Sequence, residues 1–145
     1  MTYQQNPNVA VWQSAKEYLE AAEILFDCNR IWPAAILAAF SLELSLKSFL
    51  AYRLAPWTAT TRKGHSLVDL FDKLAPDDRQ ALLETSAKVN LSVKFEDCIH
   101  RFDRLFERGR YPHEPGAAKS VGSDVVYFSK HVHSIVFTIA KHRNV

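Results

Sequence analysis

"IWPAAILAAFSLELSLKSFLAY", residues 31–52, decides the fold. Only Glu43 and Lys47 carry charge in it, and apolar side chains fall almost all the way round a helical wheel rather than along one stripe. A helix of that kind has no face to give to water, so it belongs in the middle of a helical bundle. The same two charges argue against a membrane span, because they interrupt the run before it reaches ~18 apolar residues. Pro33 suits a first helical turn, where a missing N–H costs nothing, and the helix is expected to continue to about Leu54. Glu43 and Lys47 form an i, i+4 pair with the favourable acid-first order. Two readings of this pair stand: a satisfied buried ion pair that fixes helix register, or polar groups that support a site.

Working outward, residues 9–29 place Trp12, Ala15, Leu19, Ala22 and Phe26 at steps of three and four, the signature of one helical face. Beyond the polar break "TATTRKG", Leu67, Leu70, Phe71 and Leu74 predict a short helix that Pro76 closes. Pro76 and two aspartates open the next segment, "PDDRQALLETSAKV", as a first turn prefers. From Lys94 to Glu107, Phe95, Cys98, Phe102 and Leu105 predict one long helix, its stripe widened by Ile99 and Phe106. After the loop "PGAAKSVG", Ser123 or Asp124 can cap a last helix that turns Val125, Phe128, Val132, Ile135 and Ile139 inward. The expectation is an all-α, four-helix-type bundle with one or two short extra helices and no sheet. Leu42, Leu46 and Phe49 should form its core with Phe102 and Leu105.

The chain of 145 residues suits a single domain spanning 1–145. Its net charge of +2 gives only a weak global field, so a polyanion would have to be met by a local patch. The opening residues have neither a basic n-region nor an apolar h-region, and the chain is expected in the cytoplasm. Cys28 and Cys98 show no metal-binding spacing, and no disulfide is expected between them in a reducing compartment. His131 and His133 stand two apart on a helix and point in different directions, so they cannot share a metal. No metal and no cofactor is expected.

The stretch "ERGRYPHE", residues 107–114, departs from bundle grammar. Arg101, Arg104 and Arg108 are spaced to share one face of the predicted helix, a basic strip that Asp97, Asp103 and Glu107 partly neutralise through pairs worth ~0.2–0.5 kcal/mol each. As structure this is a solvated charged face. Pro112 disfavours helical geometry at Tyr111, so the chain turns there and brings His113 back towards Arg108. A permanently charged guanidinium forks onto phosphate oxygens, and an imidazole exchanges protons near neutrality. Those are the two parts that metal-free RNA cleavage requires. His65 reads as a residue at the start of the short helix, or as part of a basic cluster with Arg62 and Lys63 that could touch a polyanion.

Four segments in order, "AKEYLEAAEILF", "PAAILAAFSLELSLKSFLAY", "GHSLVDLFDKL" and "FEDCIHRFDRLFERGRYPHE", with an Arg and a His separated by four to six intervening residues near the end of a late helix, resemble the HEPN domain. The resemblance implies a helical bundle that often dimerises, with the Arg and His motifs of two subunits meeting in one cleft. It implies a metal-independent endoribonuclease of the toxin or defence kind, or else a non-catalytic module that binds a nucleotide, an RNA or a partner protein such as an antitoxin or a nucleotidyltransferase. By that resemblance Arg108 would be the phosphate-stabilising cation and His113 the general base or acid. Glu43 would support the site, with Lys47, Arg104, Arg110 and Tyr111 supporting it or positioning substrate. Two positions depart from the pattern: Gly109 stands where active members often have a polar residue, and Pro115 where many have a tyrosine.

Overall fold

A computed structural model describes residues 6–51, 65–110 and 122–144 of the chain. Among them the regular structure is entirely helical: α1 (Val9–Asp27), α2 (Ile31–Lys47), α3 (Leu67–Lys73), α4 (Pro76–Val89), α5 (Phe95–Arg101), α6 (Leu105–Gly109) and α7 (Asp124–Arg143). The long helices α1, α2 and α7 make the body of a four-helix-type bundle, completed by α4, with the short helices filling between them. No helix among the described residues is long and apolar enough to cross a membrane.

The quoted stretch takes the central place that its composition demands. Ala34, Ala35, Ala38, Ala39, Leu42 and Leu46 of α2 are all buried, and α2 touches α1, α3, α6 and α7. The small alanines let α1 approach closely enough for Ser41 to donate a hydrogen bond to the Ala15 carbonyl at 2.6 Å. Removing a side chain as deeply buried as Leu42 should cost roughly 2–5 kcal/mol. The helix ends at Lys47 and tightens into turns over residues 48–51, where the Phe49 and Leu50 amides bond three residues back instead of four. The expected end near Leu54 lies outside the described residues. On α7, Val125, Phe128, Val132, Ile135 and Ile139 are buried as the periodicity requires. On α1, Ala15, Leu19 and Ala22 are buried with Val11, whereas Trp12 and Phe26 pack only partly against the core.

One predicted element is corrected. The single helix expected from Lys94 to Glu107 is broken at Phe102–Arg104 into α5 and α6, with Arg104 in the left-handed region at φ 57°. No glycine or proline stands there to announce it. The cause is tertiary: Asp103 accepts hydrogen bonds from the Ser66 hydroxyl at 2.9 Å and the Val68 amide at 3.2 Å, tying the break to the first turn of α3. A carboxylate there satisfies an orphan amide and meets the positive end of the helix. As a result Leu105 is only partly buried, while Phe102 joins Leu42, Leu46 and Phe49 in the core.

Candidate functional site at the junction of the second and sixth helices

The central helix carries its two charges into the bundle. The Glu43 and Lys47 side chains are 1% and 4% exposed, with Oε2 and Nζ 3.8 Å apart. His65, immediately before the α3 cap, reaches the same Oε2 with Nδ1 at 3.1 Å. Ser66 holds it there by accepting from the Asp69 amide at 3.2 Å, which fixes how the chain enters α3. The other oxygen, Glu43 Oε1, is buried and has no hydrogen-bond partner among the described residues.

An aromatic floor joins this polar cluster to the arginine-bearing end of α6. Phe106 stacks on Phe40 with centroids 4.5 Å apart, the His65 ring lies tilted against Phe106 at 5.3 Å, and the Arg110 guanidinium sits 4.6 Å from the Phe106 centroid. A cation over an aromatic face gains roughly 0.5–1 kcal/mol at an exposed position, enough to bias where Arg110 rests. The end of α6 is seated on α2 by close packing. Trp32 Nε1 donates to the Gly109 carbonyl at 2.8 Å, and a Cβ added at Gly109 would lie 2.1 Å from Ile36 Cδ1. Gly109 is therefore a residue of close approach, which gives a structural reason for its standing at that position.

Burial governs the electrostatics. It pushes the Glu43 carboxyl above its usual range, opposed by the hydrogen bond and charge of His65 and by the charges of Lys47 and Arg110. It pushes the Lys47 ammonium down, opposed by Glu43 and reinforced by Lys73. Burial thus disfavours the charged form of both members of the pair, and their mutual attraction opposes it.

Of the residues singled out by sequence, Glu43, Lys47 and Arg110 are brought to this junction, and Arg108 lies exposed on α6, two residues before Arg110. Arg104 is not part of it: it pairs with Glu107 at 3.3 Å, and Arg101 pairs with Asp124 of α7. The three arginines do not share one continuous helix, because the break puts Arg101 at the end of α5, Arg104 in the left-handed link and Arg108 on α6. Tyr111 and His113 lie outside the described residues. The residue that sequence reading underrated is His65, which the capping pattern of Ser66 and Asp69 could have placed at a helix entrance but not opposite Glu43. His131 and His133 diverge as expected, the first 2.8 Å from Ser86 Oγ and the second stacked on Trp12 at 4.2 Å. Cys28 and Cys98 are free thiols.

An all-helical bundle with a polar cluster buried on its central helix, beside an arginine-rich helix end, is the kind of domain these observations define. The family model for the HEPN domain matches residues 9–140, and the chain belongs to that family. No curated protein and no solved structure matches it.

Proposed function

We propose that this HEPN domain is a metal-independent endoribonuclease of the toxin or defence kind. Arg108 is the cation on the scissile phosphate and His113 takes the proton from the 2′-hydroxyl. The oxygen so freed attacks the adjacent phosphorus, and the guanidinium stabilises the charge that develops there. The nucleophile comes from the substrate, so the reaction needs no metal-bound water. The observation that supports this reading is the seating of the α6 end against a buried carboxylate and its histidine, which sets Arg110 beside them on the same short helical segment that carries Arg108. Two such sites facing each other across a homodimer would grip RNA from both sides. Val9, Ile24, Tyr127 and Phe137 remain exposed as apolar surface that a second protomer could cover. An antitoxin or a nucleotidyltransferase is the expected partner class.

The test is cleavage of RNA by the purified protein in excess EDTA, with products ending in 2′,3′-cyclic phosphate. His113→Ala should lower the rate by roughly 10² to 10⁴ while leaving RNA binding nearly unchanged. The rate per protomer should fall on dilution if the working unit is a dimer. Equal residual cleavage by wild type and His113→Ala would remove the nuclease. A second reading, a non-catalytic module that binds RNA, a nucleotide or a partner protein, would then stand. It is favoured by Gly109, where the polar side chain common in active members could be added only by displacing the tip of Ile36.

A further inference from the structure

His65 and Arg110 rest against the same phenyl ring. The His65 centroid lies 5.3 Å and the Arg110 guanidinium 4.6 Å from the centroid of Phe106, and Phe40 stacks on that ring at 4.5 Å. Arg110 is also close enough to Glu43 for its charge to act on the buried carboxyl that holds His65. We infer that His65 and Arg110 form one phosphate-binding subsite for the RNA backbone, in which the imidazole binds as the imidazolium. The inference rests on the reading above that RNA is the ligand and deepens it, by adding a contact that grips the strand without taking part in bond breaking.

The geometry of the imidazole carries the assignment. With Glu43 ionised, Nδ1 of His65 donates to Oε2 at 3.1 Å, which fixes the ring. Nε2 has no hydrogen-bond partner among the described residues. The carboxylate is 1% exposed and the His65 side chain 25% exposed, so a ligand arriving from solvent meets the ring and not the acid. A protonated ring has a donor on each nitrogen, Nδ1–H for the carboxylate behind it and Nε2–H for a phosphate oxygen in front. The imidazolium is then held between two anions, and both stabilise it. Arg110 supplies the second cation: its guanidinium lies over an aromatic face and can fork onto phosphate oxygens. The other charges around the pair are Lys47 beside Glu43 on α2, Lys73 at the end of α3, which bears on Lys47, and Asp69 in the first turn of α3. Asp103 is engaged by the Ser66 hydroxyl and the Val68 amide, and Glu107 by Arg104. With a net charge of only +2, the chain can hold a polyanion only at such a local patch.

The test is equilibrium binding of the full chain to a single-stranded RNA carrying 2′-O-methyl groups, which is not cut because its nucleophile is blocked. Affinity is measured against salt at about pH 6 and about pH 8, either side of the range in which an imidazole exchanges its proton. His65→Asn keeps an N–H close to the position of Nδ1, and so keeps Glu43 partnered, but never becomes a cation. Relative to this variant, the wild type should bind roughly ten-fold or more tighter at the lower pH and lose that advantage at the higher one. Its slope of log affinity against log salt should be steeper than the variant's by about 0.7 at the lower pH only, the contribution of one cation on a single strand. Arg110→Gln should lose about 0.7 of slope at both pH values, and Arg110→Lys should keep it. Slopes are read within one preparation and do not depend on its folded fraction, and His65→Gln read the same way guards against a defect peculiar to asparagine. A pH dependence unchanged in both His65 variants overturns the subsite and leaves His65 as a seat for Glu43. An unchanged slope in Arg110→Gln overturns it too, and so does equally tight binding of a single mononucleotide, since a strand would then add nothing. In each of these cases, cleavage of unmodified RNA by the wild type in EDTA leaves the nuclease in place. Failure of the wild type to bind RNA at all overturns both.

Discussion

Two ion pairs are buried among the described residues, and they are built in opposite ways. Asp78 and Arg143 meet at 2.8 Å, each side chain 6% exposed, with the acid in the first turn of α4 and the cation in the last turn of α7. Each therefore sits at the helix end whose dipole favours its sign, and Arg143 also lies over the Phe49 ring. Glu43 and Lys47 sit within one helix at 3.8 Å, Lys47 in its last turn and the acid one turn inside, and Oε1 of the acid has no partner among the described residues. The first arrangement ties two elements together. The second keeps two ionisable groups in the core of the bundle at a desolvation cost.

The largest expected effect should come from the tie. Arg143→Met leaves a buried carboxylate without its close partner and should lower unfolding stability by roughly 3–5 kcal/mol. Lys47→Met should cost clearly less, because Glu43 keeps His65 and can take up a proton. Denaturant unfolding of the two variants at neutral pH compares them, and an equal loss would erase the distinction between the pairs.

A middling effect should come from the packing that holds α6 over the second pair. Gly109→Ala drives a Cβ into Ile36 Cδ1, the movable tip of a half-buried side chain, so the expected cost is about 1–3 kcal/mol. Ile36→Val removes that tip. Combined with Gly109→Ala, it should recover most of the loss, and a double-mutant cycle reads the coupling. Additive losses would mean that Gly109 serves backbone freedom and not close approach to α2.

The contrast also marks what the sequence could and could not disclose. Residues whose role depends on helical period were legible: the all-round apolar α2, the inward stripe of α7, and the start of α4 at Pro76 all follow from spacing and first-turn chemistry. Glu43 and Lys47 were legible as a buried pair for the same reason. The break at Arg104 was not, because the stripe from Phe95 to Leu105 continues through it and the carboxylate responsible bonds residues more than thirty positions away in sequence. His65 was visible as a residue before a cap, yet its partner lies on another helix, and no local pattern points from one to the other. The site was thus readable where it lies along one helix and unreadable where it is assembled by tertiary contact.

The smallest expected effect is a slope rather than an offset. The Glu43 carboxyl is raised from 4.5 in the folded chain, so on a rise in pH the unfolded chain releases this proton before the folded chain does. Stability contributed by this group is therefore complete below the unfolded value and is lost as pH climbs through the folded one. Glutamine cannot titrate. Set against Glu43→Gln, the wild type should lose relative stability as pH rises above about 4.5, whatever constant difference the lost His65 contact introduces. Lys47→Met removes a charge that opposes the rise, so in that variant the window should extend to higher pH. Urea midpoints taken at several pH values for the three proteins give the slopes. A wild-type minus Glu43→Gln difference that stays flat across the range would mean that Glu43 is held ionised as firmly as an ordinary surface carboxylate, and the contrast with the Asp78 and Arg143 tie would lose its physical basis.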